Sequence, residues 1–150
     1  MTKKDNKIVV YTYVVGDLFH LGHLRCLQQA KALGDRLIVG VLTDEATESY
    51  KRKPIVPFEE RIQIIQALKV VNGVMRQENL DPTDNLKSIR ADIVVHGDDW
   101  DENFPGAEYM RSIGKRAERV KWFPGRPTTE QIGFMKGYVR GLDENKTRTS

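Results

Sequence analysis

A single cysteine, Cys26, in 150 residues excludes an internal disulfide and a cysteine-rich zinc site. No apolar run approaches the ~20 residues that a bilayer-spanning helix needs, and residues 1–7 (MTKKDNK) lack the apolar region of a signal peptide. Both absences point to a cytoplasmic chain without membrane insertion. Charge of one sign is also scarce, with a net +3. The basic run Lys51–Arg52–Lys53 has no interleaved aromatic beyond Tyr50, so a nucleic-acid face is not expected. A small anionic ligand suits that charge better. Histidine is rarer still: three in all, two of them within four residues. With one cysteine and only the remote His96 in addition, no zinc ligand set is visible.

What is present reads as one globular domain. Charged residues are 30% and hydrophobic residues 39%, a balance that supports a packed core rather than disorder. Ile8–Val15 (IVVYTYVV) is an unbroken β-branched and aromatic run, the mark of a strand buried on both faces. From His23 onward, Cys26, Leu27, Ala30 and Leu33 share one helical face, and Gly34 stops the helix. Leu37–Leu42 is a second buried strand. Residues 44–53 are polar and basic, and Pro57-Phe58-Glu59-Glu60 opens the next helix with proline and acids in its first turn.

Gly73–Arg76 reads as a short strand, Asp84–Arg90 as a helix and Ile93–His96 as a strand. Glu108–Arg116 follows as a helix and Val120–Phe123 as a strand. Thr128 starts the last helix, where Gln131 completes a capping box. Residues 143–150 have nothing apolar to pack and are expected to fray, leaving a domain over 1–142. Strands alternating with helices predict an α/β, Rossmann-like doubly wound parallel sheet of about five strands, with helices on both faces. Ligands of such sheets bind beyond the carboxyl ends of the strands.

One stretch at such an end carries chemistry: His20-Leu21-Gly22-His23, after the first strand and at a helix start. One histidine there is ordinarily a surface residue or a satisfied core residue. Two around a glycine form a phosphate-binding arrangement. The helix terminus offers N–H groups and partial positive charge, Gly22 allows close approach, and the imidazoles add donors where transition-state charge builds.

H-x-G-H in this setting resembles the nucleotidyltransferases of the class I synthetase type. The stretch DLFHLGHLRCLQQAKALGDRLIVGVLTDE is similar to the cytidylyltransferases that activate glycerol 3-phosphate, phosphocholine and phosphoethanolamine. The likeness continues through KRKPIVPFEER (Lys51–Arg61), ALKVV (Ala67–Val71), HGDDW (His96–Trp100) and PTT (Pro127–Thr129), covering roughly residues 8–135 in order. The resemblance implies that His20 and His23 contact the triphosphate and stabilise the transition state, with Lys51 as a mobile catalytic cation. It implies nucleotide binding by Val15, Gly16, Gly22, Gly97, Asp98, Asp99, Thr128 and Thr129, and acceptor binding by Asp17, Arg61 and Lys69. It further implies CTP as substrate, Mg2+ with the triphosphate, and a homodimer. Trp100 either stacks or simply packs, and Thr128 doubles as a helix cap.

Several positions depart from the family pattern. Where the family has G-T-F-D this chain has Val14-Val15-Gly16-Asp17, moving the glycine two places. The arginine and aspartate of R-Y-V-D-E-V are Lys69 and Asn72; lysine keeps the charge but loses the two-pronged phosphate geometry. The arginine of R-T-x-G-x-S-T-T falls on Trp122 and its serine on Pro127, with Arg126 nearby. The expected reaction is transfer of CMP from CTP to a small phosphorylated alcohol. A phosphonate acceptor, adenylyl transfer from ATP, and a non-catalytic nucleotide-binding module are the alternatives.

Overall fold

The computed structural model describes residues 6–122, 132–133 and 135–140. Five parallel strands form one sheet in the order β3-β2-β1-β4-β5. These are β1 (Val9–Val14), β2 (Arg36–Leu42), β3 (Gly73–Gln77), β4 (Ile93–Gly97) and β5 (Arg116–Val120). The helices between them are α1 (Leu21–Ala32), α2 (Asp44–Glu48), α3 (Phe58–Gln66), α4 (Thr83–Ile89) and α5 (Ala107–Ser112). The chain runs outward from β1 to β3, then crosses back to β4, so strand order reverses between β1 and β4.

The unbroken apolar strands follow from burial on both faces. Val10, Leu37, Val39, Val41, Ile93 and Val95 face one cluster with Leu27 and Ala30 of α1 and Phe58 and Ile65 of α3. Alternate residues Tyr11, Tyr13, Leu42 and Val94 face the other, with Ala46 of α2, Leu86 of α4 and Ala107 and Met110 of α5. Gly40 of β2 is small for a reason: a Cβ there would lie 2.6 Å from Gln77 Oε1 and closer still to the Tyr11 hydroxyl. That hydroxyl donates to Gln77 Oε1 at 2.5 Å and ties the centre of the sheet to its edge.

Three expectations shift. The polar segment after β2 opens with a short helix, α2, whose start Thr43 caps by accepting from the Ala46 N–H. The helix expected over Glu108–Arg116 ends at Ser112, because Gly114 takes a left-handed conformation (φ +75°). The chain is then already extended from Arg116, so the strand expected at Val120–Phe123 lies earlier, at Arg116–Val120. Residues 132–133 and 135–140 are helical, whereas Phe123, the Thr128 cap, Arg126 and the tail 143–150 lie outside the described residues. Among the described residues no helix is long and apolar enough to cross a membrane.

Candidate active site

A pocket of about 270 Å³ opens at the carboxyl edge of the sheet, where β1, β2 and β4 end. Its wall includes Val15 and Gly16 beyond β1, Leu42 of β2, His96 of β4, His23 of α1, Lys51, Asp99 and Trp100. This is the reversal point where sheets of this kind bind ligands.

The two histidines build the start of α1. His20 is the N-cap, and its Nδ1 accepts from the Gly22 N–H at 3.0 Å. His23 reaches back so that its Nδ1 accepts from the His20 N–H at 3.1 Å. The result is a reciprocal capping box made from imidazoles in place of the usual hydroxyl and carboxyl. Because each Nδ1 accepts, each neutral ring carries its proton on Nε2. The ring centroids lie 4.0 Å apart. Phe19 stacks on His23 at 5.1 Å, and Trp122 sets its edge against both rings at 6.0 Å. Burial, the neighbouring His20 and the Lys51 charge push His23 down to about 3, and burial lowers His20. At neutral pH the pair is uncharged and presents Nε2–H donors.

Asp17, expected at the acceptor, lines the pocket and is almost fully buried, with its oxygens engaged inside the protein. Its Oδ2 accepts from the Ile55 N–H at 2.9 Å and from Arg52 Nη1 at 2.8 Å, and its Oδ1 accepts from the Val56 N–H at 2.9 Å. Burial alone would raise this carboxyl, but those two N–H groups and the guanidinium hold it below its ordinary value. Asp17 thereby fastens the basic segment 51–56 to the end of β1. Lys51 lies on that segment, 5.5 Å over the Tyr50 ring. Desolvation by the pocket wall and the Arg52 charge lower its ammonium.

Arg61 and Lys69, also expected at the acceptor, are not part of the pocket wall. Arg61 is 1% exposed and donates to Val56 O, Val15 O and Asp44 Oδ1 at 2.8, 2.5 and 2.7 Å. It knits the ends of β1 and β2 to the basic segment, leaving its charge matched inside the protein. Lys69 is exposed on the connector between α3 and β3. A parallel sheet puts that connector at the amino edge, opposite the pocket. There Asn72 Oδ1 accepts from the Leu37 N–H and Lys31 Nζ, both at 2.9 Å, which gives the asparagine a structural task.

The structure also separates the two aspartates after β4. Asp98 Oδ1 accepts from the Trp122 N–H at 2.8 Å and holds the exit of β5, while Asp99 lines the pocket. Gly97 makes room for it: a Cβ there would lie 2.6 Å from Asp99 Oδ1. Gly16 adopts φ +70° and its Cβ would meet Ile65 Cδ1 at 2.8 Å, so the shifted glycine serves a turn no other residue fits well. Thr128 and Thr129 lie outside the described residues. Among the described residues no group of three His, Cys, Asp or Glu side chains could hold a metal ion.

The model of a cytidylyltransferase-like family matches residues 16–136, from Gly16 of the pocket wall onward. The chain belongs to the cytidylyltransferase-like family. An ethanolamine-phosphate cytidylyltransferase of Dictyostelium discoideum is 35% identical over 140 residues, 90% of this chain and 39% of its own length. A bifunctional protein HldE of Syntrophotalea carbinolica is 33% identical over 87% of this chain and 27% of its own length. This cytidylyltransferase-like chain thus spans well under half of those curated relatives. A lipopolysaccharide core biosynthesis protein of Thermoplasma volcanium superposes with a TM-score of 0.68 at 29% identity, over 79% of this chain and all of that one.

Apart from Trp100, six pocket residues were not reached from the sequence as ligand contacts: Tyr13, Val14, Leu42, Tyr50, Leu80 and His96. Tyr13 and Leu42 look like core in a strand read as buried on both faces. His96 did carry a signal, as the last side chain of a strand at the ligand-binding edge. Trp100, left open between stacking and packing, packs against His96 at 5.2 Å and also lines the pocket.

Proposed function

We propose that the chain transfers CMP from CTP to a small acceptor bearing a phosphate or phosphonate, releasing pyrophosphate. The observation that carries this reading is the pair of neutral imidazoles with Nε2–H donors, fixed side by side at the positive end of a 12-residue helix. An oxygen of the acceptor attacks the α-phosphorus in line, the new P–O bond forms as the bond to pyrophosphate breaks, and no protein nucleophile takes part. His20 and His23 donate to phosphate oxygens as charge grows on them. Because the rings are uncharged and preorganised, their donors need no rearrangement as the barrier is crossed.

Lys51 supplies the positive charge that lets two anions approach, and Asp17 sets where that charge sits by holding its segment. Arg61 keeps the Val15 carbonyl and Asp44 in register beneath them. Magnesium belongs in this scheme to the triphosphate substrate, since Mg2+ is usually held by substrate phosphates, water and one or two carboxylates. The family and the ethanolamine-phosphate relatives from Dictyostelium and Arabidopsis thaliana support CTP as donor and a phosphorylated alcohol as acceptor.

A pyrophosphate-release screen tests the reading. CTP, ATP, GTP and UTP with magnesium are crossed against phosphate esters and phosphonates of small alcohols. CTP-dependent release with one acceptor class is the expected result. Release from ATP alone would change the base, and nucleotide-induced thermal stabilisation without release would leave a binding module.

A further inference from the structure

The inner end of the pocket is aromatic, and one polar atom there stands apart. His96 Nδ1 lies 3.0 Å from the Gly97 carbonyl oxygen, which can only accept, so the ring proton sits on Nδ1. The neutral ring then presents Nε2 as a bare lone pair, the reverse of the tautomer in His20 and His23. Asp99 Oδ1, at 3.8 Å, is also on the Nδ1 side. Among the described residues Nε2 has no hydrogen-bond partner. No buried side-chain nitrogen or oxygen among them lacks one, so this atom reaches open space, and the space that His96 lines is the pocket.

The ring is also held in place. Tyr13 and Trp100 pack against it at 5.2 Å and Phe104 at 5.4 Å. The Tyr13 hydroxyl cannot serve as a second donor to a ligand there, because it donates to Pro105 O at 2.8 Å. His23 and Lys51, the cationic and donor side of the same pocket, suit the phosphate end of a ligand. His96 suits the opposite kind of group.

We propose that His96 determines acceptor specificity: its Nε2 receives a hydrogen bond from an N–H or O–H group on the organic part of the acceptor. The substrate class is therefore a short phosphate or phosphonate with a hydroxyl or protonated amine near its far end. This rests on the cytidylyltransferase reading above. A polar group that must pair inside an aromatic wall discriminates strongly, because an analogue without the donor leaves the lone pair facing carbon.

The test compares matched acceptors with CTP. Phosphoethanolamine and phosphocholine carry the same positive charge, but only the former has N–H donors; glycerol 3-phosphate and propyl phosphate differ in hydroxyls. The wild-type protein is expected to prefer the donor-bearing member of at least one pair by about tenfold or more in kcat/KM. His96→Phe keeps the aromatic packing and should reduce that preference below about twofold with the KM for CTP unchanged, while His96→Gln, which retains an acceptor oxygen, should keep part of it. Melting temperatures confirm that both variants fold. A preference that survives in His96→Phe, equal losses across each pair, or no wild-type preference in either pair overturns the proposal. Absence of pyrophosphate release from every CTP and acceptor combination in the wild type overturns instead the reading of the reaction, before His96 is altered.

Discussion

The Asp17 carboxylate and the Arg52 guanidinium, 35 residues apart in sequence, meet at 2.8 Å beside the pocket that Asp17 helps to line. Asp17 is 3% exposed and Arg52 38%, so the carboxylate is the anchored partner and the guanidinium the adjustable one. The pair, with the Ile55 and Val56 N–H groups, decides where Lys51 sits.

Asp17→Asn should therefore loosen residues 51–56. The amide keeps one acceptor oxygen but loses the charge, leaving at least one N–H unpaired, at a cost of about 1–3 kcal/mol. The half-exposed guanidinium is solvated in either case and adds little of its own. Faster tryptic cleavage at Lys51, Arg52 or Lys53 and a turnover loss of about tenfold or more are expected. Unchanged cleavage would show that the segment is held by other contacts.

The same carboxylate gives a pH signature. Its folded pKa lies below the ordinary 3.8, so the unfolded chain takes up the proton first. The stabilisation is full above that ordinary value and disappears as pH falls through the folded pKa. Thermal melts of wild type and Asp17→Asn should differ most above the ordinary carboxylate value of 3.8 and converge as pH falls below it. A difference that persists undiminished at the acid end would contradict an ionised Asp17 in the folded protein.

For the histidines the shifts run downward for a different reason, because burial favours the neutral ring. His23, pushed to about 3, should show no titration between pH 8 and 5 in ring-proton NMR. The unfolded chain, with a pKa near 6.5, gains a proton over that range that folded His23 does not, so this residue lowers stability as pH drops. Turnover should accordingly lack a limb near pH 6.5 arising from His23. A His23 midpoint close to 6.5 would mean that the ring is exposed and charged when it meets phosphate.

Arg61→Lys separates a structural arginine from a substrate-binding one. A lysine cannot serve Val15 O, Val56 O and Asp44 together, and the loss should be about 3 kcal/mol or more, with a clear fall in Tm. Had Arg61 held the acceptor phosphate, the main effect would be a raised acceptor KM at unchanged Tm.

Lys69→Ala should alter acceptor kcat/KM by less than about twofold, as expected for an exposed residue at the amino edge of the sheet. A tenfold loss would show that the amino edge takes part in substrate binding.

Much of this was legible from residues alone. The strands were readable because Val9–Val14 and Arg36–Leu42 are buried on both faces and so carry no polar alternation. His20 and His23 were readable because a glycine between two histidines at a strand-to-helix junction has few other uses. What escaped depended on partners distant in sequence. Arg61 looks like a substrate ligand until Val15 O and Asp44 are seen to occupy it, and nothing in the sequence shows that Asp17 also holds the Ile55 and Val56 N–H groups. Lys69 follows a motif whose register is visible, but the edge of the sheet it reaches depends on strand direction. Asp98 and Asp99 are adjacent and chemically alike, and only the Trp122 N–H tells them apart.

The central claim is that two neutral, Nε2-protonated histidines at the start of α1 stabilise phosphoryl-transfer charge. Its most direct test is single-turnover pyrophosphate release from CTP in wild type, His20→Ala and His23→Ala, each saturated with nucleotide and acceptor. Each substitution should slow the chemical step by roughly 10²–10³-fold with CTP still bound, as loss of a preorganised donor does. Wild-type rates in both variants would contradict the account and leave the pair as a helix cap alone.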